Sequence, residues 1–292
     1  MMGQDSERLA ALSGVAATSL GVAALRAIET TRDDRLFEDP YAQCFVSAAA
    51  AGHALPLASA SGRDPDFYQL MAPQVALRTR FFDDALLAAA GFGAQVVLLA
   101  CGMDARAFRL RWPSHTSVFE VDLAETLAFK GAVLARQGAA ASCKRVTVAV
   151  DLCEDWPAAL TEAGWQQRLP TLWLAEGIWY ALSADGADDL LRRITAHSAP
   201  GSVLAFDHMR DSERLRAARA ALSPELVELW RGGPTESPGA WLLRHGWDPS
   251  VHDLQEVAAD YHRSVPTELT GAPDEASRAW LATATVQGVG AP

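Results

Sequence analysis

Residues 95–122, QVVLLACGMDARAFRLRWPSHTSVFEVD, decide how this chain folds. A short, mostly apolar run at Gln95–Ala100 breaks at Cys101-Gly102, passes through a helix-compatible stretch at Ala105–Leu110, and returns to a second apolar run, Ser117–Val121, followed by Asp122. Runs of this length, rich in Val and Leu and closed by turn residues, match strands buried on both faces, as parallel strands covered by helices must be. The unit recurs downstream. Arg145–Val150 (RVTVAV), Thr171–Ala175 (TLWLA) and Ser202–Phe206 (SVLAF) read as further strands, with helix-compatible segments at Glu125–Gln137, Trp156–Gly164 and Ala187–His197 between them. Strands alternating with helices demand right-handed crossovers, which build an α/β, doubly wound parallel sheet with helices on both faces.

Two segments leave that rhythm. Residues 1–90 read as a helical cover with a Gly/Ser/Pro interruption at Gly52–Pro65, and residues 208–262 as helices and loops around Pro224, Gly232–Pro234 and Pro238. Ser264–Leu269 and Ala279–Val286 are expected to close the sheet as a final strand pair. With no clear linker, residues 1–292 form a single domain in this reading: cover 1–90, binding core 91–207, substrate-side insertion 208–262, final strands 263–292.

Half of the 292 residues are hydrophobic and 21% are charged, enough to fill a large core and too apolar for general disorder. A formal charge of −11 with no long Lys/Arg cluster argues against nucleic acid as a partner. Cys44, Cys101, Cys143 and Cys153 lie far apart, with no Cys-x-x-Cys, so neither a zinc site nor a disulfide framework is expected and a reducing cytoplasm fits. The Ala-rich stretch Ala10–Leu25 is interrupted by Ser13, Gly14, Thr18, Ser19 and Gly21 and is too short to span a membrane; it reads as a helix packed on protein.

Open α/β sheets bind ligands outside the carboxyl ends of their strands. There this chain places Cys101-Gly102-Met103-Asp104, then Asp122, Asp151, Glu176-Gly177 and Asp207-His208, so that four acidic side chains are expected along one edge. A dinucleotide needs Gly-x-Gly-x-x-Gly to hold its pyrophosphate, and Ala100–Ala105 lacks that set, which disfavours a nicotinamide oxidoreductase. S-adenosyl-L-methionine carries no phosphate; its ribose diol, adenine amine, ammonium and sulfonium all suit acids. Asp122 stands twenty positions after Gly102, the spacing at which an acid reaches the ribose hydroxyls, and Asp151, one strand over, would meet the adenine amine.

These residues carry a family resemblance. The segment 98–130, LLACGMDARAFRLRWPSHTSVFEVDLAETLAFK, resembles the first two motifs of the leucine carboxyl methyltransferase family, particularly its bacterial branch of small-molecule O-methyltransferases from polyketide and related pathways. Ala24–Ala42, Leu77–Asp84 (LRTRFFDD), Asp151-Leu152, Ala175–Gly177 and Ala240–Asp248 are similar to further family signatures, in family order. The resemblance implies a Rossmann-like class I methyltransferase fold, a seven-stranded sheet with its last strand antiparallel under an N-terminal helical cover. It also implies roles: Arg78 for the methionine carboxylate, Ala100 and Gly102 in the cofactor turn, Asp122 with Leu123 at the ribose, Asp151-Leu152 at the adenine, Glu176 at the methionine end. Two positions depart from the family pattern. Ala100 and Cys101 stand where Gly-x is usual, and Ala181 stands where a tyrosine is frequent, with Tyr180 one position earlier.

Asp104 reads as a helix cap rather than a ligand. Glu176 follows an apolar run, so its burial calls for a cationic partner, which the ligand would supply. No residue stands out as a general base; His208 and Tyr180 are the only candidates, and a lone histidine is usually structural. Cys101 reads as a small packed side chain, and Arg80 as a surface-paired neighbour of Arg78. The expected activity is methyl transfer from S-adenosyl-L-methionine to an oxygen of a small acceptor, a carboxylate before a phenol. A protein C-terminal carboxyl methyltransferase and a non-catalytic cofactor-binding protein are the alternatives, and no metal is expected.

Overall fold

The sheet is assembled from β1 (Gln95–Leu99), β2 (Ser117–Asp122), β3 (Lys144–Ala149), β4 (Thr171–Ala175), β5 (Val203–Met209), β6 (Trp247–Asp253) and β7 (Ala279–Val286) in a computed structural model that describes residues 14–51, 65–91, 93–210, 230–266, 269 and 279–286. Its order is β3-β2-β1-β4-β5-β7-β6, parallel from β1 through β5, with β7 antiparallel to both β5 and β6. The chain leaves β1 toward β2 on one side and later returns to lay β4 on the other, so the strand order switches between β1 and β4. That switch point opens the crevice in which such sheets take ligands.

Both faces of β1 and β4 are buried at every residue, which is why their sequences are unbroken apolar runs. On one face Val96, Leu98, Leu172 and Leu174 pack with Phe82 and Leu86 of α3 (Pro65–Ala89) and Val257 of α9 (Leu254–Asp260). On the other, Val97, Leu99, Phe119, Trp173 and Phe206 pack with Trp156 of α6 (Trp156–Glu162), Leu190 and Leu191 of α7 (Ala184–Ala196) and Trp241 of α8 (Pro238–Arg244). A third cluster joins the cover to the core. Leu20 and Ala23 of α1 (Gly14–Thr30) and Phe45 and Ala49 of α2 (Ala42–Ala51) meet Met103, just before α4 (Arg106–Arg109), and Phe129 and Val133 of α5 (Ala124–Arg136). The Ala-rich stretch is thus a helix packed on protein over its described part, residues 14–25. Among the described residues no helix is long and apolar enough to cross a membrane.

Two expectations are corrected. The partner of the last strand is Trp247–Asp253, not Ser264–Leu269; residues 264–266 are irregular, Leu269 is helical, and 267–268 lie outside the described residues. Trp247–Asp253 sits inside the segment expected to be helices and loops. It hides because it is an edge strand: Asp248 and Ser250 face solvent, and Pro249, which cannot donate to a ladder, is tolerated only where one side is unpaired. Second, β5 runs on to Met209, so Asp207 and His208 lie within the strand rather than after it, paired across to Leu281 and Trp280. The expected interruption at residues 52–64 and the loop around Pro224 lie outside the described residues. Pro238 opens α8, behind the Ser237 cap.

Candidate functional site

At the carboxyl ends of β1, β2 and β4 lies a cleft whose empty volume, open mouth included, is about 730 Å³, inside the range of roughly 300–1,000 Å³ usual for small-molecule sites. α1 roofs it with Thr18, Ser19, Val22 and Arg26, which recur at helical spacing on one face. The floor is the turn after β1. Gly102 has φ +46°, and a Cβ there would come within 2.6 Å of the Ser19 Cβ, so glycine is required both by the backbone and by the approach of α1. Ala100 also adopts a left-handed conformation, φ +46°, although it carries a side chain. The departure from glycine noted in the sequence therefore costs about 1–2 kcal/mol of local strain at the cofactor turn.

Asp122 ends β2 and ties this turn together. Its Oδ2 accepts from the Gly102 N–H at 2.6 Å and its Oδ1 from the Leu123 N–H at 2.7 Å. Burial pushes its carboxyl above the usual range, and the two N–H donors pull the other way. The Thr126 side chain bonds the carboxylate as well, which leaves acceptor capacity for one further donor, as a ribose hydroxyl would be. Leu123 contributes its backbone here and is absent from the cleft lining.

The other end of the cleft is a buried ion network. Glu176, directly after β4, accepts from Arg78 Nε at Oε1 (3.0 Å) and from Arg106 Nη1 at Oε2 (2.7 Å). Arg78 also donates through Nη1 to Asp207 Oδ2 at 3.0 Å, while Asp207 Oδ1 accepts from the Gly177 N–H at 2.6 Å. Arg106 reaches Asp83 through Nε at 2.7 Å and shares Nη1 between Glu176 and Asp104; Arg109 holds Asp83 from its other side at 2.5 and 2.7 Å. Partial burial would raise the Glu176 carboxyl, but Arg106 and Arg78 outweigh it and hold it low; Asp104, also partly buried, is driven by Arg106, Lys130 and Arg109 down to about 2. Asp207 goes the other way, raised by burial beyond what Arg78 returns.

Arg78, Ala100, Gly102, Asp122, Glu176 and Tyr180 do come together in the cleft. Three expectations need correcting. Glu176 does not await a ligand for its cationic partner, since two guanidiniums already hold it. Beside Arg78, Arg26 lines the cleft too, bonded to Asp39 at 2.9 Å and to the Met103 carbonyl at 2.6 Å, and Arg106 stands behind. Asp104 bonds the Arg106 N–H at 2.6 Å in a cap-like manner and also lines the cleft. Asp151 and Leu152 stand apart from the lining; Asp151 is exposed and accepts from the Cys153 N–H at 2.8 Å, and Leu152 packs beside the second core cluster. The acidic fence of the sequence reading is therefore split, with Asp207 buried behind the cleft and Asp151 outside it.

His208 is 2% exposed, outside the cleft lining, stacked on Trp280 (5.9 Å between ring centroids, 7° between planes), and neither ring nitrogen has a hydrogen-bond partner. Burial, with Arg210 nearby, lowers its pKa to about 4, so the ring is neutral. Tyr180 stacks on Trp230 at 4.1 Å, and burial raises its phenol. Cys101 is a packed thiol pushed well above its usual pKa by burial, and Arg80 pairs with Asp84 at 2.8 Å, half exposed. Thr18, Ser19, Val22, Arg26 and the Arg106–Arg109 pair were missed by sequence reasoning. The usable signal was the position of Arg106 and Arg109, i and i+3 immediately after the turn, where charges in a buried segment need partners.

Comparison with known proteins bears on the same residues. A family model described as leucine carboxyl methyltransferase matches residues 19–195. A protein of Parafrankia sp. assigned as an S-adenosyl-L-methionine-dependent methyltransferase is 46% identical over 88% of this chain and 84% of its own length, and one of Frankia alni with the same assignment is 45% identical over 90% and 94%. A methyltransferase-assigned structure from Thermobifida fusca superposes with a TM-score of 0.54 at 15% identity, covering 92% of this chain and 94% of its own, and supports the fold.

Proposed function

Because this chain belongs to the leucine carboxyl methyltransferase family and is an S-adenosyl-L-methionine-dependent methyltransferase, we propose that it methylates an oxygen of a small organic acceptor, a carboxylate, of the secondary-metabolite kind exemplified by polyketide acids. The residues present fit the cofactor. Around the methionine end, Asp83, Asp104, Glu176 and Asp207 face Arg78, Arg106 and Arg109, four carboxylates against three guanidiniums, so the network keeps an anionic excess suited to an ammonium and a sulfonium. Arg78 and Arg26 offer the complementary cations for a carboxylate, and Asp122 the acceptor for a ribose diol. When bound, S-adenosyl-L-methionine supplies an electrophilic sulfonium methyl.

What the protein itself contributes is position and dryness. The roof of α1 and the floor at Gly102 exclude water from the nucleophile, and holding two reactants in near-attack geometry is worth roughly 7–11 kcal/mol. The choice of a carboxylate rests on one observation: among the described residues, no side chain at the methionine end of the cleft is suited to take a proton near neutral pH. The described lining contains no histidine, Asp104 and Glu176 are held too acidic, the Tyr180 phenol is raised, and Asp122, whose carboxyl burial raises, is committed at the other end to the Gly102 and Leu123 N–H groups. A carboxylate with a pKa of about 4 is already ionised and needs no base, whereas a phenol near 10 does.

The test is mass spectrometry of reactions supplied with methyl-labelled cofactor and matched panels of small acids, phenols and peptide C-termini. Label in a methyl ester of a small acid is the expected result; label on phenols only, on peptides only, or on nothing overturns the reading. Asp122→Ala, measured by calorimetry, should weaken cofactor binding by about a hundredfold, since it removes an acceptor and orphans two backbone N–H groups.

A further inference from the structure

Arg106 lies behind the cleft rather than in its lining, yet more of the methionine end depends on it than on any lining residue. It is 2% exposed and begins a four-residue helix too short to be held by its own hydrogen bonds. Its guanidinium joins three separate parts of the fold: Asp83 and the Thr79 carbonyl on α3, Asp104 in the turn after β1, and Glu176 at the end of β4. One nitrogen, Nη1, serves both Asp104 and Glu176. These two carboxylates therefore sit no farther apart than two hydrogen bonds end to end, an arrangement like charges resist unless a cation stands between them. Both also line the cleft.

We propose that Arg106 is a positioning residue for cofactor binding: it draws Asp104 and Glu176 into one anionic pair, oriented by Asp83 from behind, that receives the ammonium of the methionine arm. The inference rests on the S-adenosyl-L-methionine reading of the cleft and not on the choice of methyl acceptor. Arg78 alone cannot do this, because it holds only the Oε1 side of Glu176 and its other bond goes to Asp207. Lys130 cannot either, since its ammonium is bound to Glu120 at 3.0 Å. Asp83 completes the device. Pinned by Arg109, it fixes the Arg106 fork from outside the cleft, so the pair is preorganised before any ligand arrives.

The experiment compares two ligands by calorimetry on the full chain: S-adenosylhomocysteine, which has the amino-acid arm, and 5′-methylthioadenosine, which lacks it. Arg106→Gln should raise the Kd for S-adenosylhomocysteine by roughly tenfold or more while leaving that for 5′-methylthioadenosine within about twofold, as expected when a charge-assisted bond is lost at one end only. Its acid limb of S-adenosylhomocysteine binding should also move to higher pH, because Glu176 and Asp104 lose the cation that holds them ionised. Arg106→Lys, which keeps the charge but not the fork, should fall between. If Arg106→Gln does not fold, Arg106→Lys and Asp83→Asn, neither of which alters a lining residue, give the same readout on a smaller scale. Parallel weakening of both ligands, or no weakening of S-adenosylhomocysteine, overturns the proposal. Failure of the unaltered chain to bind S-adenosyl-L-methionine would instead overturn the cofactor reading beneath it.

Discussion

Glu176 and Asp151 occupy equivalent places in the sequence, each just past a parallel strand of the same sheet, and the structure treats them in opposite ways. Glu176 is drawn into a buried network between Arg78 and Arg106, while Asp151 stands exposed at the outermost strand, bonded only within its own turn, to Cys153 and Glu154. The difference follows from place in the sheet. β4 is central and covered by α3, whereas β3 is an edge strand with Lys144, Thr147 and Ala149 open to solvent. An acidic residue past a strand end is thus a component of a preorganised site at the centre and a solvated surface group at the edge.

The strongest challenge to this contrast is Asp83→Ala. It would strand Arg109 in the interior and leave Arg106 to Asp104 and Glu176, and breaking a buried pair destabilises by about 3–5 kcal/mol; chemical denaturation should show a loss of that size, and a change below about 1 kcal/mol would mean the network carries no stability.

Next in size is the acid sensitivity of the central end. His208 has a folded pKa of about 4 against an unfolded value near 6.5, so the stability it permits is complete above about pH 6.5 and is lost as pH falls toward 4, by about 3 kcal/mol in all. Replacing it with Phe, which needs no hydrogen bonds and can still stack on Trp280, should leave stability at pH 7 unchanged or higher and flatten that acid slope; an unchanged slope in denaturant titrations would assign the acid loss to the carboxylates instead.

A smaller effect reports on stability and function together. Glu176→Gln keeps the shape of the side chain but turns one of two acceptor oxygens into a donor facing Arg78 or Arg106, so stability should fall by about 1–3 kcal/mol and cofactor affinity by about tenfold, or 1.4 kcal/mol. Unchanged affinity by calorimetry would remove Glu176 from the ligand site. Smallest is Asp151→Asn, at an exposed site where stability should change by no more than about 0.5 kcal/mol. If Asp151 meets the adenine amine, as the family resemblance implies, calorimetry should register a severalfold loss of cofactor affinity at unchanged melting temperature; unaltered affinity would confine the site to the central strands.

Much of this was legible in one dimension. The buried strands β1 and β4 are readable because a strand covered on both faces must be apolar throughout, and Gly102 and Asp122 because a turn against a ligand needs a left-handed residue and a following acid. β6 was not legible, since an edge strand exposed on one side carries Asp, Pro and Ser that imitate a loop. The α1 residues of the roof were hidden for a different reason: Thr18, Ser19 and Val22 are unremarkable in type, and only the approach of α1 to Gly102 gives them a place in the cleft.

By itself the sequence determined the fold class, the cofactor and the positions of the acids, because strand periodicity, turn chemistry and the absence of a phosphate-binding glycine set are local properties. Only the tertiary structure decided which charges are partners. Arg106 meets Asp83, Asp104 and Glu176 from three separate elements, and ion pairing depends on distance and burial, which are set by how those elements pack and cannot be read along the chain.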